Sequence, residues 1–169
     1  MDRDMLVKLY EIDVDEVRQL EKKLNDKDVY IKKVLASDMS KVHRFVLDNF
    51  RESWADETLK AVINNKCYIA VKNNEILGFA CYDVSMLNIF GPIGVLESQR
   101  KLGIGKLLLL KSLLSMKELG YAYAIIGWAG PQEFYARSCG AMPIENSIPG
   151  SFENKIKVTH DKNKGLIIM

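Results

Sequence analysis

The sequence contains little cysteine and little proline, and each shortage excludes a class of protein. Of its 169 residues, only three are cysteine and four are proline. Cys67, Cys81 and Cys139 show no paired spacing, so we expect neither a disulfide framework nor a metal site. There is also no Pro/Ser-rich linker, internal repeat or low-complexity segment. Reduced thiols are typical of the cytoplasm, where we expect this protein to act.

An excess of charge of either sign is also missing. Lysine and arginine number 24 against 22 acidic residues, which leaves a formal net charge of +2. The basic residues lie among acidic ones and form no basic stripe, so nucleic acid is not an expected partner. No apolar run is long enough to span a bilayer, and Asp2, Arg3 and Asp4 do not begin a signal peptide, so a membrane is not expected either.

What the chain does contain is the composition of an ordinary globular domain, with 48% apolar and 27% charged residues. Strand and helix signals alternate without a strict βαβ repeat, which predicts a mixed α/β sheet with helices on both faces. In the first half we expect strands at residues 6–10 and 29–35, a helix from Val14, and a second helix capped by Ser37 or Asp38. Ser53 and Asp56 are typical of a capping box at the start of a third helix.

The second half begins with a predicted hairpin at residues 67–82 that turns at Asn73 and Asn74. An irregular strand is expected at residues 86–96, because Gly91, Pro92 and Gly94 interrupt it and proline cannot donate to a ladder. A long helix with a wide apolar face follows. This helix is predicted at residues 103–119. The remaining predicted elements are strands at 121–126, 142–144 and 155–159, and a short helix from Pro131 to Cys139.

The most informative segment is residues 95–106, where a strand ends, a glycine-containing loop follows and the long helix begins at once. A helix start leaves backbone N–H groups without partners and carries the positive end of the helix dipole. It is therefore a binding site for phosphate or pyrophosphate groups. Gly103 and Gly105 allow the phosphates to approach closely, and Arg100, Lys101 and Lys106 add positive charge.

Two other phosphate-binding loops are excluded by position. A Walker A loop would need glycine at position 100 and serine or threonine at 107, where the chain has Arg100 and Leu107. The dinucleotide fingerprint needs a third small residue at position 108, where the chain has Leu108. A tight strand-to-helix turn without a ligand stays open as the structural alternative.

What remains is the pattern Arg-x-x-Gly-x-Gly, at Arg100, Gly103 and Gly105, which resembles the acetyl-CoA loop of the GNAT acyltransferase superfamily. Residues 74–79 resemble the second hairpin of that family, and residues 134–141 resemble its late helix. The resemblance covers residues 29–144, which is most of the chain.

Two positions depart from the family pattern. Glu97 stands where many members have proline, and Ala141 replaces an aromatic residue at the close of the late helix. Residues 78–83, together with Gly91–Pro92 and Gly130–Pro131, resemble a bacterial branch of the superfamily.

The resemblance implies a GNAT-like fold, with a mixed, mostly antiparallel central sheet flanked by helices, in which strands four and five splay apart to form a V-shaped cleft. It implies a domain at residues 29–169, with residues 1–28 as an N-terminal strand and helix packed on it. Acetyl-CoA is the implied acyl donor, without a metal, and its pantetheine arm pairs with strand four. The residues assigned to acetyl-CoA in this way are Ile93, Val95, Arg100, Lys101, Leu102, Gly103, Ile104, Gly105, Lys106 and Phe134.

Catalytic roles also follow from the resemblance. The Val95 amide polarises the acetyl carbonyl, as an oxyanion-type donor does. Tyr135 protonates the departing thiolate, and packing of its ring in the core is the structural alternative. An alkylammonium must lose a proton before it can attack. Asp83 at the end of one strand and Glu97 after the next are the candidate bases, directly or through water.

We therefore expect an N-acetyltransferase that acts on a primary amine of a small molecule, by direct attack in a ternary complex. A short chain with modest net charge leaves little surface for docking a protein substrate. A non-catalytic acyl-CoA sensor is the alternative function, and a longer acyl group, the identity of the amine and a homodimer stay open. The residues expected to line the acceptor pocket are Arg51, Glu52, Trp54, Tyr82 and Trp128.

Overall fold

The computed structural model describes residues 3–156, which form one mixed sheet with α-helices on both faces. The strands are β1 (Met5–Lys8), β2 (Tyr30–Lys33), β3 (Cys67–Lys72), β4 (Glu75–Tyr82), β5 (Ile89–Val95), β6 (Tyr123–Ile126) and β7 (Met142–Pro143). The helices are α1 (Val14–Asn25), α2 (Met39–Asn49), α3 (Glu52–Ile63), α4 (Ile104–Glu118) and α5 (Gln132–Cys139).

The strands follow the order β2-β3-β4-β5-β6-β1-β7, and every pair is antiparallel except β5 with β6. The predicted mixed, mostly antiparallel sheet is therefore confirmed. β1 lies inside the sheet, with Leu6 opposite Ile125 of β6 on one side and Met142 of β7 on the other. The boundary between an extension and a domain at residue 28 stays a prediction.

The two faces of the sheet carry separate cores, as the alternation along β4 requires. Phe79 and Cys81 belong to the core beneath α2 and α3. Ala80 and Tyr82 belong to the core beneath α1 and α4. α4 packs across β3, β4 and β5. Within the part of the chain that is described, no helix is both long and apolar enough to cross a membrane.

The start of α3 differs from the prediction. The helix begins at Glu52, Arg51 precedes it, and no side chain caps it, so the capping box predicted from Ser53 is wrong. The N–H groups of Trp54 and Ala55 both donate to the Arg51 carbonyl, at 3.0 and 3.1 Å. Because that carbonyl already closes the first turn, Ser53 lies inside the helix and cannot cap it.

Of the other local signals, the hairpin turn and the end of α4 agree with the structure, whereas the predicted cap of α2 does not. The β3–β4 hairpin turns at Asn73 and Asn74, whose φ angles of 49° and 64° are those of a tight two-residue turn. The predicted cap of α2 by Ser37 or Asp38 is wrong, because no side chain caps this helix and the Asp38 carboxylate instead binds Lys41 at 2.8 Å. α4 ends at Glu118, and Gly120 follows its C-cap with the positive φ of 103° that favours glycine.

β5 is irregular, as predicted, and the cleft follows from this irregularity. Its register against β4 shifts between Ala80 and Tyr82. It pairs with β6 only at Ile89 and Phe90, beyond which the two strands diverge. β5 and β6 are the strands that the resemblance numbers four and five, so the predicted splay is confirmed.

The last predicted strand, at residues 155–159, lies mostly outside the described residues. Lys155 and Ile156 are described, and neither is in a strand.

Candidate active site

A cavity of about 950 Å³ lies in the gap between β5 and β6. Phe50 and Trp54 line it from the face that carries α2 and α3, whereas Phe134 and Tyr135 line it from the α4 face. The cavity therefore joins the two faces of the sheet through the gap. The predicted site residues that line it are Arg51, Trp54, Ile93, Val95, Arg100, Lys101, Gly103, Gly105, Lys106, Trp128, Phe134 and Tyr135.

Other predicted site residues lie outside this lining. The Glu97 side chain is exposed in a short 3₁₀ turn after β5, and Leu102 is also exposed. Ile104 is buried in the core and offers only its backbone to a ligand. Tyr82 is buried under α4, where its hydroxyl accepts a hydrogen bond from Lys33 Nζ at 2.5 Å. The residues outside the lining are Glu52, Tyr82, Asp83, Glu97, Leu102 and Ile104.

The backbone of β5 turns amide groups into the gap. The Leu96 N–H donates to the Leu77 carbonyl at 2.9 Å, so these two residues form a hydrogen-bonded pair. Hydrogen-bonded and non-hydrogen-bonded pairs alternate along antiparallel strands. The adjacent pair of Gly78 and Val95 is therefore of the non-hydrogen-bonded kind. The Val95 N–H accordingly points away from β4, toward the open gap, and the same alternation applies to Ile93.

The start of α4 forms the end of the cavity next to Val95. Gly103 precedes the helix with a φ of 92°, and no side chain caps it. The Leu107 N–H donates to the Gly103 carbonyl at 3.0 Å, so the N–H groups of Ile104, Gly105 and Lys106 have no partner within the helix. Such a group of free donors binds anions, above all phosphates.

Gly105 and the basic residues determine how a ligand can approach this helix start. A Cβ atom at Gly105 would lie 3.6 Å from Val95 Cγ2, so a longer side chain would enter the space beside β5. Arg100 is exposed, and its Nε donates to the Val95 carbonyl at 3.4 Å. The Lys106 ammonium is paired with Glu16 of α1, which offsets part of its charge.

Tyr135 lies on α5 with its ring buried and its side chain in the wall of the cavity. The ring packs edge-on against Phe134, with centroids 5.1 Å apart, and against Phe90 at 6.3 Å. Burial, assisted by the neighbouring Cys139, raises the pKa of Tyr135 to about 12. The phenol therefore keeps its proton at all physiological pH values, which a general acid requires.

Asp83 is held in a network behind the cavity wall. Its carboxylate pairs with Lys66 Nζ at 2.5 Å and accepts hydrogen bonds from the Tyr121 hydroxyl at 2.8 Å and the Asn88 N–H at 2.7 Å. Burial favours the neutral acid, but these hydrogen bonds outweigh it and lower the pKa of Asp83. A carboxylate with a lowered pKa is a weak proton acceptor, and its contacts suit a structural role.

The Asp83 network gives a prediction about stability. Asp83→Asn removes the charge that pairs with Lys66, so we expect the free energy of unfolding at pH 7 to fall by about 1–3 kcal/mol. A depressed folded-state pKa stabilises the fold above the unfolded-state value of about 3.9. The difference between the two proteins should therefore shrink as the pH falls below about 4. Urea denaturation at pH 7 and pH 3 measures both effects.

The control for this prediction is Asp48→Asn, since Asp48 is an exposed carboxylate on α2. It should change the unfolding free energy by no more than about 0.5 kcal/mol. Equal stabilities of the Asp83 and Asp48 variants at pH 7 would contradict the structural role of the network.

An aromatic wall covers β5 on the α2–α3 face. A Cβ atom at Gly94 would lie 2.6 Å from Phe50 Cε1, so only glycine leaves room for this ring on the strand. The Phe50 ring lies 6.0 Å from that of Trp54, and the Arg51 guanidinium lies 5.5 Å above the Trp54 ring. These side chains form a pocket of aromatic surface with one cation at its edge.

The opposite wall contains Trp128 together with Phe152 and Lys155. The Asp4 carboxylate accepts hydrogen bonds from the Trp128 N–H at 2.9 Å and from the Ser151 N–H at 2.6 Å. Trp128 Nε1 donates to the Pro149 carbonyl at 2.7 Å, and the ring of Phe152 lies 5.6 Å from that of Trp128. Asp4 therefore holds the chain near its C-terminal end against the cavity.

Several cavity residues lie outside the predicted set. Glu57 follows Trp54 by three residues, which places both on one side of α3, and this spacing is the signal by which it could have been found. Ser85 carries no sequence signal, because its contact with Glu57 spans 28 positions. The lining residues with the greatest bearing on chemistry that were not predicted are Phe50, Glu57, Ser85, Phe90, Phe152 and Lys155.

Among residues 3–156 there is no group of three or more histidine, cysteine, aspartate or glutamate side chains arranged to hold a metal ion.

Comparison with known proteins identifies relatives of this arrangement. The sequence profile of the acetyltransferase (GNAT) family matches residues 39–141, more than half of the chain. A comparison with curated proteins finds no match. Among solved structures, the glucosamine N-acetyltransferase region of a fungal multi-domain GH3 β-N-acetylglucosaminidase, described as GCN5-related, has a TM-score of 0.67 and 14% identity. That likeness covers 85% of this chain and 20% of the fungal one.

Two bacterial structures are similar in the same way. GCN5-related N-acetyltransferases from Sphaerobacter thermophilus and Kribbella flavida have TM-scores of 0.61 and 0.58, each with 16% identity. The likeness covers 85% and 84% of this chain, but only 49% and 54% of theirs. The chain thus spans about half or less of the length of these structures, and at such identities they establish the fold alone.

Proposed function

Because the chain belongs to the acetyltransferase (GNAT) family, we propose that it transfers an acetyl group from acetyl-CoA to a primary amine of a small molecule. The observation that carries this proposal is the orientation of the Val95 N–H. It points into a gap whose wall also contains Tyr135 and the uncapped start of α4. A donor for an oxyanion, an acid for a leaving group and a site for a pyrophosphate thus border a single cavity.

The donor fits the α4 side of the cavity. The pyrophosphate of acetyl-CoA accepts hydrogen bonds from the N–H groups of Ile104, Gly105 and Lys106, and Arg100 and Lys101 supply further positive charge. The pantetheine arm runs along β5, where the amide of Ile93 faces the gap. This arrangement brings the thioester beside Val95.

The transfer step then follows from the surrounding groups. The neutral amine attacks the carbonyl carbon, a C–N bond forms, and the oxyanion accepts a hydrogen bond from the Val95 N–H. The C–S bond breaks as Tyr135 gives its proton to sulfur, and CoA leaves as the thiol. One of the two nitrogen protons replaces the proton lost by Tyr135, and the other stays on the amide nitrogen of the product. Donor and acceptor enter from opposite faces, which favours direct transfer in a ternary complex.

The acceptor side supports a small molecule. Phe50 and Trp54 supply flat apolar surface, and the carboxylate of Glu57 and the hydroxyl of Ser85 supply a few polar groups. Cavities of this composition bind small organic molecules. Arg51, Glu52 and Trp128 stay as predicted acceptor residues at the edges of this region.

The alternative is a non-catalytic acyl-CoA sensor, which would keep the binding loop without turnover. One experiment separates the two functions: wild-type protein is mixed with acetyl-CoA and a panel of glucosamine, lysine, spermidine, kanamycin and a short peptide, and released thiol is measured. Thiol release that depends on one of the amines supports the enzyme. Calorimetric binding of acetyl-CoA without release in any mixture supports the sensor.

We also propose a bacterial enzyme that acts in the cytoplasm. Cys67 and Cys81 lie directly opposite each other on β3 and β4, yet both are free thiols, as is Cys139. Thiols in this state are typical of a reducing compartment.

A further inference from the structure

Glu57 is a carboxylate in the cavity wall that the transfer step above does not use. Its Oε1 accepts a hydrogen bond from the Ser85 Oγ at 2.7 Å, and Ser85 lines the same cavity. Within residues 3–156 its side chain forms no close ion pair, although Lys155, which lines the same cavity, acts on its charge. A half-buried carboxylate in this position is available to a cationic ligand.

The surroundings of Glu57 select a particular cation. Trp54 lies three residues before it on α3, and the Phe50 ring stands 6.0 Å from that of Trp54. An alkylammonium can place its charge against the carboxylate and its methylene groups against these rings. The same ammonium is the form in which the acceptor amine exists at neutral pH.

Charged and titratable groups around Glu57 come from several elements. Burial raises its pKa, while the Ser85 hydrogen bond and Lys155 of the C-terminal segment oppose the rise and Asp56 adds to it. Arg51 lines the cavity from the start of α3, and the Cys81 thiol of β4 feels the charge of Glu57. A carboxyl group with a raised pKa is a better proton acceptor than an ordinary glutamate.

The two carboxylates predicted as bases, Asp83 and Glu97, lie in less favourable positions than Glu57 for accepting a proton in the cavity. Asp83 lies outside the cavity lining and is committed to Lys66 and Tyr121. Glu97 is exposed after β5, also outside the lining. Glu57 alone of these three faces the cavity.

We propose that Glu57 binds the ammonium of the acceptor and removes its proton before attack, with Ser85 holding the carboxylate in place. This proposal rests on the proposed function. The N–H bond of the ammonium breaks, its electron pair stays on nitrogen, and the proton passes to the free carboxylate oxygen. The neutral amine then attacks the thioester, and Glu57 releases the proton to solvent after the product leaves.

The test compares Glu57→Gln with the wild-type protein on the fastest acceptor of the amine panel, from pH 6 to pH 10. At pH 7 we expect kcat/KM to fall at least about tenfold, since proton transfer of this kind contributes about 10²–10⁴. The remaining activity should rise with pH, because only amine that enters neutral can react. The two proteins should therefore converge as the pH approaches the pKa of the acceptor amine, which is about 10.4 for a lysine side chain.

Two further variants separate chemistry from folding. Asp48→Asn removes a carboxylate charge from an exposed part of α2, outside the cavity lining and not among the groups that act on Glu57, and should leave the pH profile unchanged. Ser85→Ala removes the hydrogen bond that lowers the pKa of Glu57, so the acidic limb of the wild-type profile should move to higher pH. A purely structural Ser85 would leave that limb in place.

Each outcome is decisive. If the wild-type protein acetylates an amine and Glu57→Gln keeps the wild-type profile, Glu57 is not the base, although the proposed function stands. If Ser85→Ala leaves the acidic limb unmoved while Glu57→Gln loses activity at every pH by the same factor, Glu57 is a structural residue. If the wild-type protein releases no CoA with any amine of the panel, both proposals fail together.

Discussion

Acetyl-CoA binding is expected to be lost in Gly105→Glu, while the protein stays folded. The Cβ atom at this position would make ordinary contacts with Val95 and Phe134, at 3.6 and 3.7 Å, so the protein itself accommodates it. The rest of the side chain would enter the cavity and place a negative charge where we propose that the pyrophosphate binds. We expect a loss of at least about 100-fold in affinity, or about 2.8 kcal/mol. Isothermal titration calorimetry measures it directly.

The fold should tolerate this substitution, because an acidic side chain in the first turn of α4 interacts favourably with the helix dipole. Gly105→Gln separates the two causes, since it has nearly the same size as glutamate without the charge. It should bind acetyl-CoA more weakly than wild type but more tightly than Gly105→Glu. Gly105→Ala should lose the least. Unchanged affinity in a folded Gly105→Glu protein would place the acetyl-CoA site elsewhere.

The elements that depend on short-range signals could be predicted from the sequence. The Asn73–Asn74 turn, the apolar face of α4 and the proline in β5 each act through neighbouring backbone, and the structure agrees with all three. The start of α3 could not be predicted in this way. The backbone carbonyl of Arg51 closes its first turn, so Ser53, which resembles a cap in the sequence, lies two residues after the N-cap position.

In the candidate site too, the features that depend on neighbouring residues could be predicted and those that depend on distant residues could not. The loop at residues 100–106 is contiguous, so its glycines and basic residues were recognisable together, and most of them line the cavity. Contacts between distant segments were not recognisable. Lys106 pairs with Glu16, 90 positions away, and Asp83 is engaged by Lys66 and Tyr121 from other elements.

These distant contacts change the chemistry assigned to individual residues. From the sequence alone, a carboxylate at a strand end such as Asp83 looks free to act as a base. In the fold, its donors lower its pKa and remove it from the cavity wall. The reverse holds for Glu57, because from the sequence alone a glutamate in the middle of a helix is expected to be solvated. Only the packing of α3 against β5 gives it a place in the cavity wall.

Tyr135→Phe is expected to lower kcat by about 10², with acetyl-CoA affinity unchanged. The ring contacts with Phe134 and Phe90 remain, and only the proton donor is lost. Without it, the thiolate must leave unprotonated or take its proton from water. Steady-state kinetics on the fastest acceptor, with calorimetry for acetyl-CoA, measures both quantities. Tyr123→Phe is the matched control, because Tyr123 is exposed on β6 outside the cavity lining and should keep the wild-type kcat.

The pH dependence strengthens this test. A general acid works while it is protonated, so the contribution of Tyr135 should persist until the pH approaches its pKa of about 12. An ordinary tyrosine would lose its proton near pH 10. The ratio of wild-type to Tyr135→Phe kcat should therefore stay constant from pH 7 to pH 10, even where the Glu57→Gln protein regains activity. Equal kcat values for Tyr135→Phe and wild type would show that Tyr135 only packs in the core. The leaving thiolate would then take its proton from solvent.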